Sequence, residues 1–247
     1  MSSEPSLSTR DKHKIIVANW KMNGSETLLK DFATLAPTKN NDVIICLPFT
    51  LLALAKGVLT DFVKIGAQNC SEEDNGAFTG EISASMLRER SVTHVIVGHS
   101  ERRTLFNETD HLISKKVDSI LKNELTPIVC IGETLSEKKA NMTLQVLEKQ
   151  IDGSITKVSA NKRLIVAYEP IWAIGSGLIP SENEIRETHL YIKERVSQYF
   201  NTNIPILYGG SANAENCNKI SSIENVDGLL VGGASLKKHD FAKICNC

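Results

Sequence analysis

Glu169 closes an apolar run, Leu164-Ile165-Val166-Ala167-Tyr168, and opens the segment Pro170-Ile171-Trp172-Ala173-Ile174-Gly175-Ser176-Gly177. A carboxylate on the rim of a buried strand can serve as a general base. A loop that starts stiff and ends in glycine can exclude water once substrate is bound. Alone, the segment also fits a solvated Glu opening an ordinary turn. Other polar residues follow other apolar runs: Asn19 and Lys21 the first, His99 and Glu101 the fourth, Gly209-Gly210-Ser211 the seventh, Gly232-Gly233-Ala234-Ser235 the eighth. Glycine pairs let backbone N–H groups approach an anion closely, and a short helix beginning at Gly233 would add its positive N-terminal end. Asn19, Lys21, His99 and Glu169 facing such a phosphate site supply a base, an electrophilic imidazole and a fixed positive charge. Those parts remove a proton beside a carbonyl and stabilise the resulting enediolate. Singly, a Lys is usually solvated and a His usually a hydrogen-bonded structural residue. His13, His94, His111, His189 and His239 take that plainer reading. So does Glu133, which follows the fifth run but is equally explained as a structural carboxylate.

The elements that must hold these groups are visible as eight apolar runs starting at Ile15, Val43, Val63, His94, Pro127, Leu164, Pro205 and Gly228. Each has four or five residues and no polar alternation, as strands buried on both faces do. Between them lie stripes of helical period. Leu28, Leu29, Phe32, Leu35 and Ala36 form one; Ile113, Val117, Ile120 and Leu121 another. Ala140, Leu144, Leu147, Ile151, Ile155 and Val158 form a third, and Ile185, Ile192, Val196 and Phe200 a fourth. Ser181-Glu182-Asn183-Glu184 after Pro180 is a capping-box sequence, so a helix starts there and the glycine loop ends near Pro180. Alternating buried strands and amphipathic helices imply a parallel sheet, and eight repeats in 247 residues favour closure into a single (β/α)8 barrel. An open doubly wound sheet is the alternative, but no GxGxxG follows the first run.

Net charge is −1, giving no global basic field for nucleic acid. No run approaches the ~18 apolar residues of a membrane span. Residues 1–13 are polar, without a signal-peptide core, and read as a flexible tail. The expected compartment is the cytoplasm. Six cysteines without CxxC or zinc spacing read as free thiols, with Cys46 and Cys130 in packing positions and Cys245 and Cys247 exposed and oxidisable. Residues 68–81 carry no periodicity, and Phe78 near the tip is costly to leave in water. The tip is therefore expected to be buried in an identical subunit, or else folded back on its own surface.

Taken in order, Asn19-Trp20-Lys21-Met22-Asn23-Gly24, Gly76-Ala77-Phe78-Thr79-Gly80-Glu81, Gly98-His99-Ser100-Glu101-Arg102-Arg103, Cys130-Ile131-Gly132-Glu133, Ala167 to Gly175, Tyr208-Gly209-Gly210-Ser211 and Val231 to Leu236 resemble the triosephosphate isomerase family. The resemblance runs from about Lys14 to Cys247. It implies interconversion of dihydroxyacetone phosphate and D-glyceraldehyde 3-phosphate, a reaction of glycolysis and gluconeogenesis, with neither metal nor organic cofactor. It implies Glu169 as the proton shuttle and His99 as a neutral imidazole whose pKa a helix N-terminus lowers. Lys21 would supply charge, Asn19 a hydrogen bond, and Glu101 would orient Lys21 or else serve as a structural partner of Arg102 or Lys21. Phosphate would rest on the backbone of Gly175, Ser211, Gly232 and Gly233. Residues 170–180 would be a closing lid held shut by Tyr208 and Ser211. The partner would be a second copy in a homodimer, with Glu81 and Arg102 pairing across it. The chain departs from the family's usual pattern at Ser176, where many members have Thr, and at Leu178-Ile179-Pro180, which has no lysine and adds a proline. A different phosphate-binding barrel enzyme would explain the glycine pairs but not the four polar residues together. A silent binding barrel would not need Lys21, His99 and Glu169.

Overall fold

The computed structural model describes residues 13–36, 41–155, 163–200 and 203–247. Eight parallel strands form a closed barrel in sequence order. They are β1 Ile15–Asn19, β2 Asp42–Leu47, β3 Val63–Ala67, β4 Val92–Val97, β5 Thr126–Ile131, β6 Ile165–Tyr168, β7 Ile206–Tyr208 and β8 Gly228–Val231. Closure joins β1 to β8 with Ile15 opposite Gly228. A Cβ at position 228 would lie 1.9 Å from the Ile15 carbonyl oxygen, so the seam needs glycine.

Strand parity divides the core in two. Val17, Ile44, Cys46, Ile96, Ile128, Cys130, Ile165, Ala167, Leu207 and Leu230 fill the barrel. Their neighbours along each strand face outward and pack under the helices. Extending the inward parity past the last apolar residue leads from Val17 to Asn19, from Ala167 to Glu169, from Leu207 to Gly209 and from Leu230 to Gly232. The period of two that fills the core also delivers these positions to one mouth.

The helices are α1 Glu26–Asp31, α2 Phe49–Val58, α3 Ala84–Glu89, α4 Ser100–Leu105, α5 Asp110–Lys122, α6 Leu135–Lys139, α7 Thr143–Ile155, α8 Glu182–Ser197, α9 Cys217–Ser221 and α10 Lys238–Ile244. The capping box of α8 forms as expected: Ser181 Oγ accepts from Glu184 N–H and the Glu184 carboxylate accepts from Ser181 N–H. Ile185, Ile192 and Val196 are buried, each contributing about 1.5–3 kcal/mol of apolar burial. The third stripe splits: Ala140 caps α6, α7 buries Leu147, Ile151 and Ile155, and Leu144 is exposed. Val158 and nearly all of the expected tail lie outside the described residues.

One expectation is corrected. Cys245 and Cys247 are buried, because α10 turns its apolar side onto the barrel wall and carries them in beside Phe241 and Ile244. The short helix expected from Gly233 forms as a single 3-10 turn, Gly233–Leu236, and α10 follows from Lys238. Both the N–H and the hydroxyl of Ser235 turn back onto the Gly232 carbonyl, at 2.8 and 2.7 Å.

Candidate active site

A cleft of about 280 Å³ opens at the C-terminal mouth and is lined by Asn19, Lys21, His99, Glu169, Gly175, Ser211, Gly232 and Gly233, among others. Glu101 stands behind Lys21, its Oε1 2.5 Å from the Lys21 ammonium; it does not pair with Arg102, which is bound to Glu108 at 2.6 Å. Lys21 itself has φ 54°, a left-handed conformation that costs a non-glycine residue about 1–3 kcal/mol. Asn19 Oδ1 accepts the Lys21 N–H at 3.0 Å, which helps to hold that turn and aim the ammonium inward.

Glu169 is buried, and room for it is made by Gly209, where a Cβ would meet the Glu169 Cγ at 2.8 Å. One carboxylate oxygen accepts from the Ser100 N–H at 3.2 Å; the other lies 3.1 Å from His99 Nε2. Burial alone would raise the Glu169 pKa. The His99 imidazole, the Ser100 N–H and Lys21 outweigh it, and the carboxyl is held below its usual range.

His99 caps α4, its Nδ1 accepting from the Glu101 N–H at 3.2 Å. Only a ring unprotonated at Nδ1 can accept that bond, so Nε2 carries the proton and points it at Glu169. The pKa, however, runs against the lowered value expected. Burial pulls it down, but the Glu169 and Glu101 carboxylates more than offset this, and His99 is raised.

The start of the loop 170–180 has an anchor that sequence reasoning set aside. Glu133 is fully buried; it accepts from Trp172 Nε1 at 2.8 Å and from the Tyr168 hydroxyl at 3.2 Å, while its carbonyl accepts from the Ile171 N–H. Its place directly after β5 was the available signal. Ser211 holds the same turn, donating Oγ–H to the Ala173 carbonyl at 2.5 Å. Tyr208, expected to hold a closed lid, keeps its hydroxyl buried without a hydrogen-bond partner among the described residues. The foot of the 68–81 loop rests on a buried set also missed: Lys116 donates to Asn69 Oδ1 at 2.9 Å and to Glu108 at 2.6 Å. Among the described residues no group of three or more His, Cys, Asp or Glu side chains could hold a metal ion, and no helix is long and apolar enough to cross a membrane.

An eight-stranded α/β barrel with a buried carboxylate, an imidazole and an ammonium converging on a glycine-rimmed cleft defines a barrel enzyme of the acid–base class. Residues 14–247 match the family model described as triosephosphate isomerase. Over 243 residues the chain is 44% identical to triosephosphate isomerase of Alkaliphilus metalliredigens, covering 94% of this chain and 98% of that one. It is 41% identical to the Rhizobium etli enzyme of the same name, covering 96% of each. A crystal structure of triosephosphate isomerase from Bartonella henselae superposes with a TM-score of 0.86 at 38% identity, over 94% of this chain and 98% of that one. The chain belongs to the triosephosphate isomerase family.

Proposed function

We propose that the protein interconverts dihydroxyacetone phosphate and D-glyceraldehyde 3-phosphate through an enediolate, with Glu169 as base and His99 as electrophile. One observation carries this reading: Glu169 and His99 meet at 3.1 Å inside a cleft that also holds Lys21 and the Gly232-Gly233 backbone. Glu169 is ionised at neutral pH and can take the proton from the carbon beside the carbonyl. The electron pair of that C–H bond moves into the enediolate, and the same carboxyl returns the proton to the neighbouring carbon. Substrate entering between Glu169 and His99 would replace their contact. That removes the main influence raising His99, leaving burial and the Glu101 N–H to keep the ring neutral. Its Nε2–H would then polarise the carbonyl oxygen, with Asn19 as a second donor and Lys21 supplying charge. Glu101 orients Lys21. The backbone of Gly175, Gly232 and Gly233 receives the phosphate, and the Ser211 N–H joins them once it leaves the Ala173 carbonyl, to which it donates at 3.2 Å. Residues 170–180 act as the lid that expels water.

The same reading makes the protein a homodimer. Phe78, Met86, Leu105 and Phe106 are large apolar side chains left exposed in the single chain, which favours burial by a second copy. Residence in the cytoplasm accords with six free thiols. A coupled assay tests the reaction: glyceraldehyde 3-phosphate in, dihydroxyacetone phosphate detected, wild type beside Glu169→Gln. Turnover that collapses in the variant is expected. A folded wild type that does not turn over refutes the proposal.

A further inference from the structure

The loop 170–180 is fastened at two places, and one side chain reaches both. At its start, Trp172 is fixed by the bond from its Nε1 to Glu133. At its end, Pro180 leads into Ser181, whose N–H and hydroxyl both donate to Glu184 Oε2 at 2.8 Å. Lys138, in the last turn of α6, donates to the other oxygen of Glu184 at 2.7 Å. Its ammonium also lies over the Trp172 ring, 5.8 Å from the centroid. The stretch between is exposed from Gly175 to Ile179, and the Ser176 hydroxyl bonds within the loop, to the Trp172 carbonyl and the Leu178 N–H. The loop thus carries little internal structure to keep its two ends in step, and the tie must come from outside it.

We infer that Lys138 is a positioning residue that couples the two ends of this loop, so that entry and exit shift together when it closes over substrate. The inference rests on the lid reading above. Lys138 touches neither the cleft nor the reacting groups. It acts through Trp172 and the Ser181–Glu184 cap. A half-exposed ion pair and a partly exposed cation–ring contact are each modest, so the expected effect is roughly a threefold to tenfold fall in kcat/KM for Lys138→Met. Lys138→Arg, which keeps both contacts in kind, restores most of it.

The experiment uses the full chain labelled with 5-fluorotryptophan and read by fluorine NMR without substrate. The Trp172 line is assigned by Trp172→Phe. Glu184→Gln removes the charge but keeps a capping-box acceptor. It is expected to shift or broaden the Trp172 line in the wild-type background and to leave it unmoved in Lys138→Met, because the message passes through Lys138. An equal Glu184→Gln effect in both backgrounds overturns the proposal, as does a Lys138→Met protein with wild-type kcat, KM and Trp172 line. The fluorine lines are read on free protein. A wild type that fails to isomerise would therefore count against the proposed reaction while the lines still decide the coupling.

Discussion

The two ends of the barrel carry similar residues in opposite arrangements. At the N-terminal ends of the strands the charges are closed on one another and on the sheet. Lys64 binds Asp42 across β3 and β2 at 2.5 Å, Lys14 donates to the Val226 carbonyl, and Asp227 takes both Lys193 and the Ile206 N–H that opens β7. At the C-terminal ends the contacts are provisional. Glu169 rests on His99 and one backbone N–H, and Lys21 on a half-exposed Glu101, all facing a cleft in which a ligand can replace them. On the function proposed above, the difference separates a structural charge from a functional one. The first satisfies the backbone or a fixed partner; the second would keep a partner that substrate displaces.

The sharpest way to break that contrast is Glu169→Asp. Shortening the side chain by one methylene withdraws the base by about 1 Å and should lower kcat by roughly 10²–10³-fold with the fold intact. Steady-state kinetics beside a circular dichroism spectrum checks it, and normal turnover would remove Glu169 as base. Next in size is Phe78→Ala, on the loop after β3. Removing a central aromatic contact from an interface costs about 2 kcal/mol, roughly a 30-fold weaker dimer. Sedimentation at low concentration should show more monomer; an unchanged profile would mean Phe78 does not lie in the interface.

Why the mouth was legible in the sequence and its supports were not follows from the same geometry. Strand parity is local, so Val17 to Asn19 and Ala167 to Glu169 can be followed by counting. The capping box of α8 is likewise four consecutive residues. Glu133 and Trp172 are 39 residues apart, Lys116 and Asn69 are 47 apart, and nothing local to either pair announces the bond. Cys245 and Cys247 looked exposed because α10 reveals its buried side only once it is docked. The raised pKa of His99 depends on where Glu169 comes to rest, a fact of tertiary structure that a motif does not contain.

At the closed end the contrast predicts stability without activity. Asp227→Ala strips the partner from the Ile206 N–H and from Lys193, and should cost about 1–3 kcal/mol of folding stability while kcat and KM stay as in wild type. Denaturant melts beside kinetics decide it. A large loss of kcat would show that the two ends are not independent.

The smallest expected effect concerns His189, which lies behind β6 and β7, flanked by the rings of Tyr168 and Tyr208. It is fully buried; Nδ1 donates to the Asn225 carbonyl at 3.3 Å, and Nε2 has no partner among the described residues. Burial, aided by Lys193 and Lys14, pushes its pKa down to about 3 from an ordinary 6.5, even though the Asn225 carbonyl favours the protonated ring. The unfolded chain therefore binds a proton below about pH 6.5 that the folded chain refuses until about pH 3. Stability from this group is complete above the upper value and falls through that window as pH drops, by at most about 1.4 kcal/mol per pH unit. His94 adds a parallel loss down to about 4, burial again being the first cause. His189→Gln keeps an amide donor for the Asn225 carbonyl but has no proton to take up. Urea melts between pH 6.5 and 4 should show a shallower decline for it than for wild type. Equal slopes would mean that the acid sensitivity comes from the carboxylates of the two ends and not from the imidazole buried between them and the helical shell.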